Sequence, residues 1–157
     1  VIEQKGYVRL LPGKARGIDV NTSAEQDNTG NESSVPILGT IAAGKPITAI
    51  ENIEGYVTLD RSVFRGEGLF ALKIKGDSMT GMGILNGDIA VLRRKNQADH
   101  GEVVAVVIDE DATLKRFIRE NGAVLLRAEN PAYSDIVLSS TNSIQVIGKL
   151  VGIIRKY

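Results

Sequence analysis

The apolar residues of this chain arrive in short runs cut by glycine, and that pattern commits it to strands. From Val35 onward the candidates are Phe70–Lys75, Asp88–Leu92, Glu102–Ile108, Thr113–Ile118, Ala123–Ala128, Ile136–Leu138 and Ser143–Lys156. Helical periodicity is almost absent. Two hairpins stand out, one turning at Asp109-Glu110-Asp111 and one at Asn121-Gly122, a dipeptide that readily supplies the positive φ of a tight turn. Glycine fills 17 of 157 positions, above the usual ~7%, which suits a fold with many turns. The expected class is mostly β, a compact and mainly antiparallel domain over residues 35–157.

Two segments precede it. Residues 21–34, NTSAEQDNTGNESS, hold Ala24 as their only apolar residue and carry Glu25, Asp27 and Glu32 with no cation, the composition of a flexible linker. Residues 1–20 carry Lys5, Arg9, Lys14 and Arg16 against Glu3 and Asp19. They read as a helix end stopped by Gly6, a strand Tyr7–Leu11, a turn at Pro12-Gly13 and a return strand Ala15–Val20. So short a segment cannot bury a core. The chain is therefore expected to be a fragment of a longer protein, or to carry a segment that packs on something else.

Composition removes several function classes. The longest apolar run is the six residues Val103–Ile108, far short of the ~20 that cross a bilayer as a helix, and no signal-peptide core is visible. Zero cysteines exclude disulfides and thiol catalysis, and a single histidine, His100, offers no cluster for a metal. A Ser-His-Asp hydrolase would have to use His100 itself as base. The polar turn Gln97-Ala98-Asp99-His100-Gly101 reads as solvated loop instead. A cytosolic home fits best. With 19 Lys+Arg against 19 Asp+Glu, the whole chain carries no nucleic-acid footprint. Arg93-Arg94-Lys95 reads as a solvated strand end, and Asp109, Glu110 and Asp111 as an exposed turn rather than an ion site.

Three places could carry chemistry. In Lys75-Gly76-Asp77-Ser78-Met79 the glycine lets the chain turn so that the Ser78 hydroxyl projects from a loop, although Gly-Asp-Ser is also ordinary turn composition. Lys115 sits mid-strand on the face of Thr113 and Phe117. Desolvation there would lower its pKa toward that of a general base; a solvated strand lysine is the simpler alternative. The stretch Gly39-Thr40-Ile41-Ala42-Ala43-Gly44-Lys45-Pro46 has little bulk, so its backbone could enter a serine active site, or form a plain Gly-Pro loop.

Together these pieces resemble the LexA family of self-cleaving bacterial repressors, whose C-terminal domain belongs to the Ser/Lys S24 peptidases. Ile41-Ala42-Ala43-Gly44-Lys45-Pro46 looks like the family's cleavage segment, Gly76-Asp77-Ser78-Met79 like its nucleophile motif and Thr113-Leu114-Lys115-Arg116 like its general-base strand. The 35 positions from Ala43 to Ser78 and the 37 from Ser78 to Lys115 agree with the family's order and spacing. The resemblance extends to residues 5–18, which look like the last helical turn and the β-wing of a winged helix-turn-helix whose recognition helix is missing.

The resemblance implies a LexA/signal-peptidase-like β domain behind a polar linker and a partial wing. It implies that Ser78 attacks the carbonyl of Ala43 while neutral Lys115 takes the proton and returns it to Gly44. Backbone N–H groups of Ser78 and Met79 would hold the oxyanion, with no cofactor and no metal. The implied partners are a second copy of the chain, RecA filaments on single-stranded DNA that favour cleavage during DNA damage, and operator DNA through the complete winged-helix domain. Lys14 and Arg16 would touch phosphates. The implied location is cytoplasmic, at the nucleoid. The apolar tail Ile144–Ile154 reads as a sheet edge too greasy to leave in water, hence as the dimer surface. Competing readings are a UmuD-like self-cleaving polymerase accessory protein, which lacks a wing, and a non-catalytic dimerisation module. A signal peptidase would need a membrane anchor.

Overall fold

The computed structural model describes residues 31–42, 44–139 and 144–157. The expectations placed on residues 1–30, including the wing with Lys14 and Arg16, and on Ala43 lie outside the described residues. The described residues divide into two compact units, a smaller one that includes residues 31–34 and Thr58–Arg65, and a larger one within Val35–Val57 and Gly66–Tyr157. In the smaller unit, the described residues form a turn in which the Asp60 carboxylate accepts from the Ser62 amide and hydroxyl at 2.8 and 2.7 Å.

Among the described residues nine strands run in chain order: β1 Glu32–Leu38, β2 Ile53–Asp60, β3 Leu69–Lys73, β4 Ile89–Arg94, β5 Val103–Ile108, β6 Asp111–Glu120, β7 Ala123–Arg127, β8 Ile136–Leu138 and β9 Gln145–Ile154. Two 3₁₀ turns, Ile50–Asn52 and Thr80–Met82, are the only helical pieces among the described residues. The sheet order is β2-β1-β3-β4-β9-β5-β6-β7-β8. β1 pairs with β3 in parallel, and the pairings from β3 through to β8 are antiparallel.

Residues of β5 alternate between two cores, which explains its uninterrupted apolar run. Val103 and Ala105 join a cluster with Phe70, Leu92 and Leu114. Val104 and Val106 join another with Phe117, Leu126 and Val146. Both hairpins form where the sequence puts them. Asn121-Gly122 turns with φ of 53° and 79°, and Asp109-Glu110 with 51° and 68°. The second turn places two non-glycine residues in the left-handed region, and Asp111 belongs to β6 rather than to the turn.

Three sequence expectations change. β1 and β2 have no counterpart among the strands read from sequence, and β1 begins at Glu32, inside the stretch whose composition reads as linker. The tail is not a sheet edge. β9 lies between β4 and β5 with both sides paired, so its apolar residues serve an interior strand. Two bulges bend it, one where Val151 has no partner on β4 and one where Ile147 has none on β5. Between them Gly148 passes so close to Phe70 that a Cβ would lie 2.7 Å from its ring and 2.9 Å from the Arg93 carbonyl oxygen.

Candidate active site

Ser78 follows β3 in a loop that the sequence turns with Gly76, at φ 86°. Met79 buries its side chain in the core, 2% exposed, and so fixes the loop from below while Ser78 stays half-buried above it. The connection between β7 and β8 grips the same loop from the side. Asn130 Nδ2 donates to the Asp77 carbonyl at 2.8 Å, the Tyr133 hydroxyl donates to the Asp77 carboxylate, and Gly81 N–H donates to the Glu129 carbonyl at 2.6 Å. A Cβ on Gly81 would collide with that carbonyl at 2.4 Å.

Lys115 comes from β6 and is 8% exposed. Its Nζ lies 3.3 Å from Ser78 Oγ, 3.4 Å from Thr113 Oγ1 and 3.1 Å from the Leu114 carbonyl oxygen. Among the described residues no carboxylate pairs with it. Burial without a counter-charge disfavours the ammonium and lowers the pKa below the ordinary 10.5. Three partners match the needs of a neutral amine. Two N–H bonds satisfy the Leu114 carbonyl and the Thr113 hydroxyl, which leaves the lone pair for the Ser78 O–H. The arrangement can draw a proton from a serine, as acyl transfer requires.

The hydroxyl opens on a cleft of about 340 Å³, with Gly39, Thr40, Lys73, Thr113 and Leu114 among its walls. Ser78 and Met79 both line this cleft. Gly44 is exposed at φ 77° and forms no part of the cleft wall. The structure thus brings Ser78 and Lys115 together and keeps Gly44 out of the cleft. His100 is exposed, its Nδ1 accepting from the Arg119 amide at 2.9 Å.

A family model described as Peptidase S24-like matches residues 36–151, the span that holds both side chains. The chain belongs to the S24 peptidase family. Relatives agree over nearly its whole length. A LexA repressor of Shewanella oneidensis is 41% identical over 155 residues, 98% of this chain and 74% of that protein. One of Caldicellulosiruptor saccharolyticus is 37% identical over 155 residues, 99% of this chain and 75% of that protein. One of Desulfitobacterium hafniense is 40% identical over 154 residues, 98% of this chain and 74% of that protein. S24 membership makes the chain a serine peptidase of the self-cleaving kind, with repressors as its relatives.

Sequence reading missed two features of this S24 domain. Asn52, buried to 2% exposure, bonds across the segment that contains Gly44. Arg155 forks onto the buried Asp88, Nε to Oδ1 at 2.8 Å and Nη2 to Oδ2 at 2.7 Å. That second contact spans 67 positions, and no local motif announces it.

Proposed function

We propose that this chain is a LexA-type repressor of the SOS DNA-damage response that inactivates itself by cutting its own Ala43-Gly44 bond. Ser78 Oγ attacks the Ala43 carbonyl while Lys115 Nζ takes the hydroxyl proton. The N–H groups of Ser78 and Met79 stabilise the oxyanion, and the lysine then hands its proton to the departing Gly44 amine. Water releases the acyl group from Ser78 and regenerates the dyad. No metal or cofactor enters the reaction. The observation that carries this reading is a buried amine, with no carboxylate partner among the described residues, 3.3 Å from a serine hydroxyl at the rim of a cleft.

Because substrate and dyad share one polypeptide, the rate is set by how often the Ala43-Gly44 segment docks. RecA filaments on single-stranded DNA favour the docked form in this reading, and cleavage relieves repression. In this reading residues 1–20 belong to a winged helix-turn-helix that uses Lys14 and Arg16 on operator phosphates, residues 21–34 are the linker, its last residues Glu32–Ser34 entering β1, and residues 35–157 are the peptidase and dimerisation domain. The dimer forms in the cytoplasm, at the nucleoid. Since β9 is interior to the sheet, the contact falls to half-buried side chains such as Val151 and Ile154 rather than to a free strand edge.

The test is incubation of the purified chain at neutral and alkaline pH, with fragments resolved by mass. Two pieces joined at Ala43-Gly44 in the parent, and none from Ser78→Ala, are expected. Cleavage elsewhere, or by the Ser78→Ala chain, refutes the reading.

A further inference from the structure

The segment around Gly44 makes an excursion between two buried isoleucines. Ile41 enters the core with its N–H on the Glu110 carbonyl at 2.8 Å, and Ile47 returns to it. Between them Gly44, Lys45 and Pro46 are exposed. One side chain spans the two feet of this excursion. Asn52 Oδ1 accepts from the Ala42 amide at 3.0 Å, and its Nδ2 donates to the Pro46 and Ile47 carbonyls at 3.2 and 3.1 Å. Its own backbone is bonded as well, N–H to the Ala49 carbonyl at 2.9 Å and carbonyl to the Gly39 amide at 2.8 Å.

We propose that Asn52 is a positioning residue for the cleaved segment: its carboxamide holds Ala42 on one side and Pro46 and Ile47 on the other of the exposed Gly44 and Lys45, and thereby limits how often the Ala43-Gly44 bond reaches Ser78. The inference rests on the self-cleavage reading. Bringing that bond into the cleft means turning the chain at Ala42 and Pro46, the residues Asn52 holds. Bonds made in the exposed form and lost on docking lower the docked population by their own free energy. Asn52 is 2% exposed, so water cannot readily replace them. The other tie across this region, Lys45 to Glu51 at 2.5 Å, is about half exposed on both sides and contributes little.

The experiment is self-cleavage of the full chain carrying Asn52→Ala or the isosteric Asn52→Asp, each checked for an intact fold by circular dichroism and thermal melting. Both are expected to cleave faster than the parent, by roughly tenfold, the population shift that one or two net hydrogen bonds carry. Asn52→Ala should leave the pH midpoint unchanged, since the dyad is untouched. In the uncleavable Ser78→Ala background, Asn52→Ala should raise hydrogen exchange at the Ala42 amide, a readout independent of catalysis. Folded variants that both cleave at or below the parental rate overturn the proposal. Continued cleavage in the Asn52→Ala, Ser78→Ala double variant overturns the peptidase reading instead.

Discussion

Val104, wholly buried, stands directly opposite Lys115 across the β5–β6 ladder. The register sets Lys115 beside a buried apolar residue of β5, while its amine reaches Ser78 at 3.3 Å and is desolvated by burial. A lysine placed there carries a stability cost that only its chemistry explains.

Cleavage should accelerate as pH rises and level off once Lys115 is neutral, with the plateau reached below the ordinary lysine value of 10.5. Lys115→Arg should be inactive at every pH, because a guanidinium stays charged. His100→Ala should leave the profile unchanged. Rate constants from mass-resolved time courses across pH decide this, and a profile that follows His100 rules out the Ser/Lys dyad.

Lys115→Met should destroy activity and raise thermal stability at neutral pH. The sign follows from linkage. A folded-state pKa below the unfolded one means that the native chain binds fewer protons between the two values, so stability rises with pH across that window and the charge penalises the fold beneath it. An uncharged side chain of similar length removes the penalty. Scanning calorimetry at pH 7 and pH 10 should show the gain over the parent shrinking at the higher pH.

The rate constant should not change on dilution, because the bond and the dyad are tethered. A first-order constant that grows in proportion to protein concentration would mean cleavage between molecules. Ala43→Asp should block the reaction, since a bulky charged residue beside the scissile carbonyl cannot enter a cleft that strips water from Lys115.

Asp88 is held at about 2 by the fork of Arg155 and by the Leu85 amide, below its ordinary 3.8. A depressed carboxylate contributes stability that is complete above its unfolded pKa and disappears as pH falls through the folded one. Asp88→Asn should therefore be less stable than the parent at neutral pH, with the two melting temperatures converging as pH falls from 4 toward 2. A difference that stays constant with pH would show that the ion pair is not its source.

Gly148→Ala should lower the melting temperature, because the new methyl group would meet the Phe70 ring at 2.7 Å and the Arg93 carbonyl at 2.9 Å. Overpacking of this kind costs about 1–3 kcal/mol. Denaturant unfolding measures it, and an unchanged midpoint would mean that Phe70 yields without strain.

The sequence by itself determined what is decided over a few residues. Asn121-Gly122 set its own turn, the run Val103–Ile108 read as a strand, and Gly76-Asp77-Ser78-Met79 and Thr113-Leu114-Lys115-Arg116 resembled a family in order and spacing. Tertiary structure decided the rest. β1 starts in a polar stretch, Glu32-Ser33-Ser34, and takes its place by pairing with β3, whereas β2 alternates between covered and exposed residues along Ile53–Asp60, a local period-two signal; β9 becomes an interior strand by pairing with β4 and β5. In sequence Asn52 is a polar residue before a strand; only the fold brings its carboxamide onto Ala42, Pro46 and Ile47. Lys115 has a lowered pKa because folding buries its amine, which no local sequence signal sets. Backbone preference is local and can be read locally, whereas desolvation and hydrogen-bond closure depend on which distant groups the fold brings together.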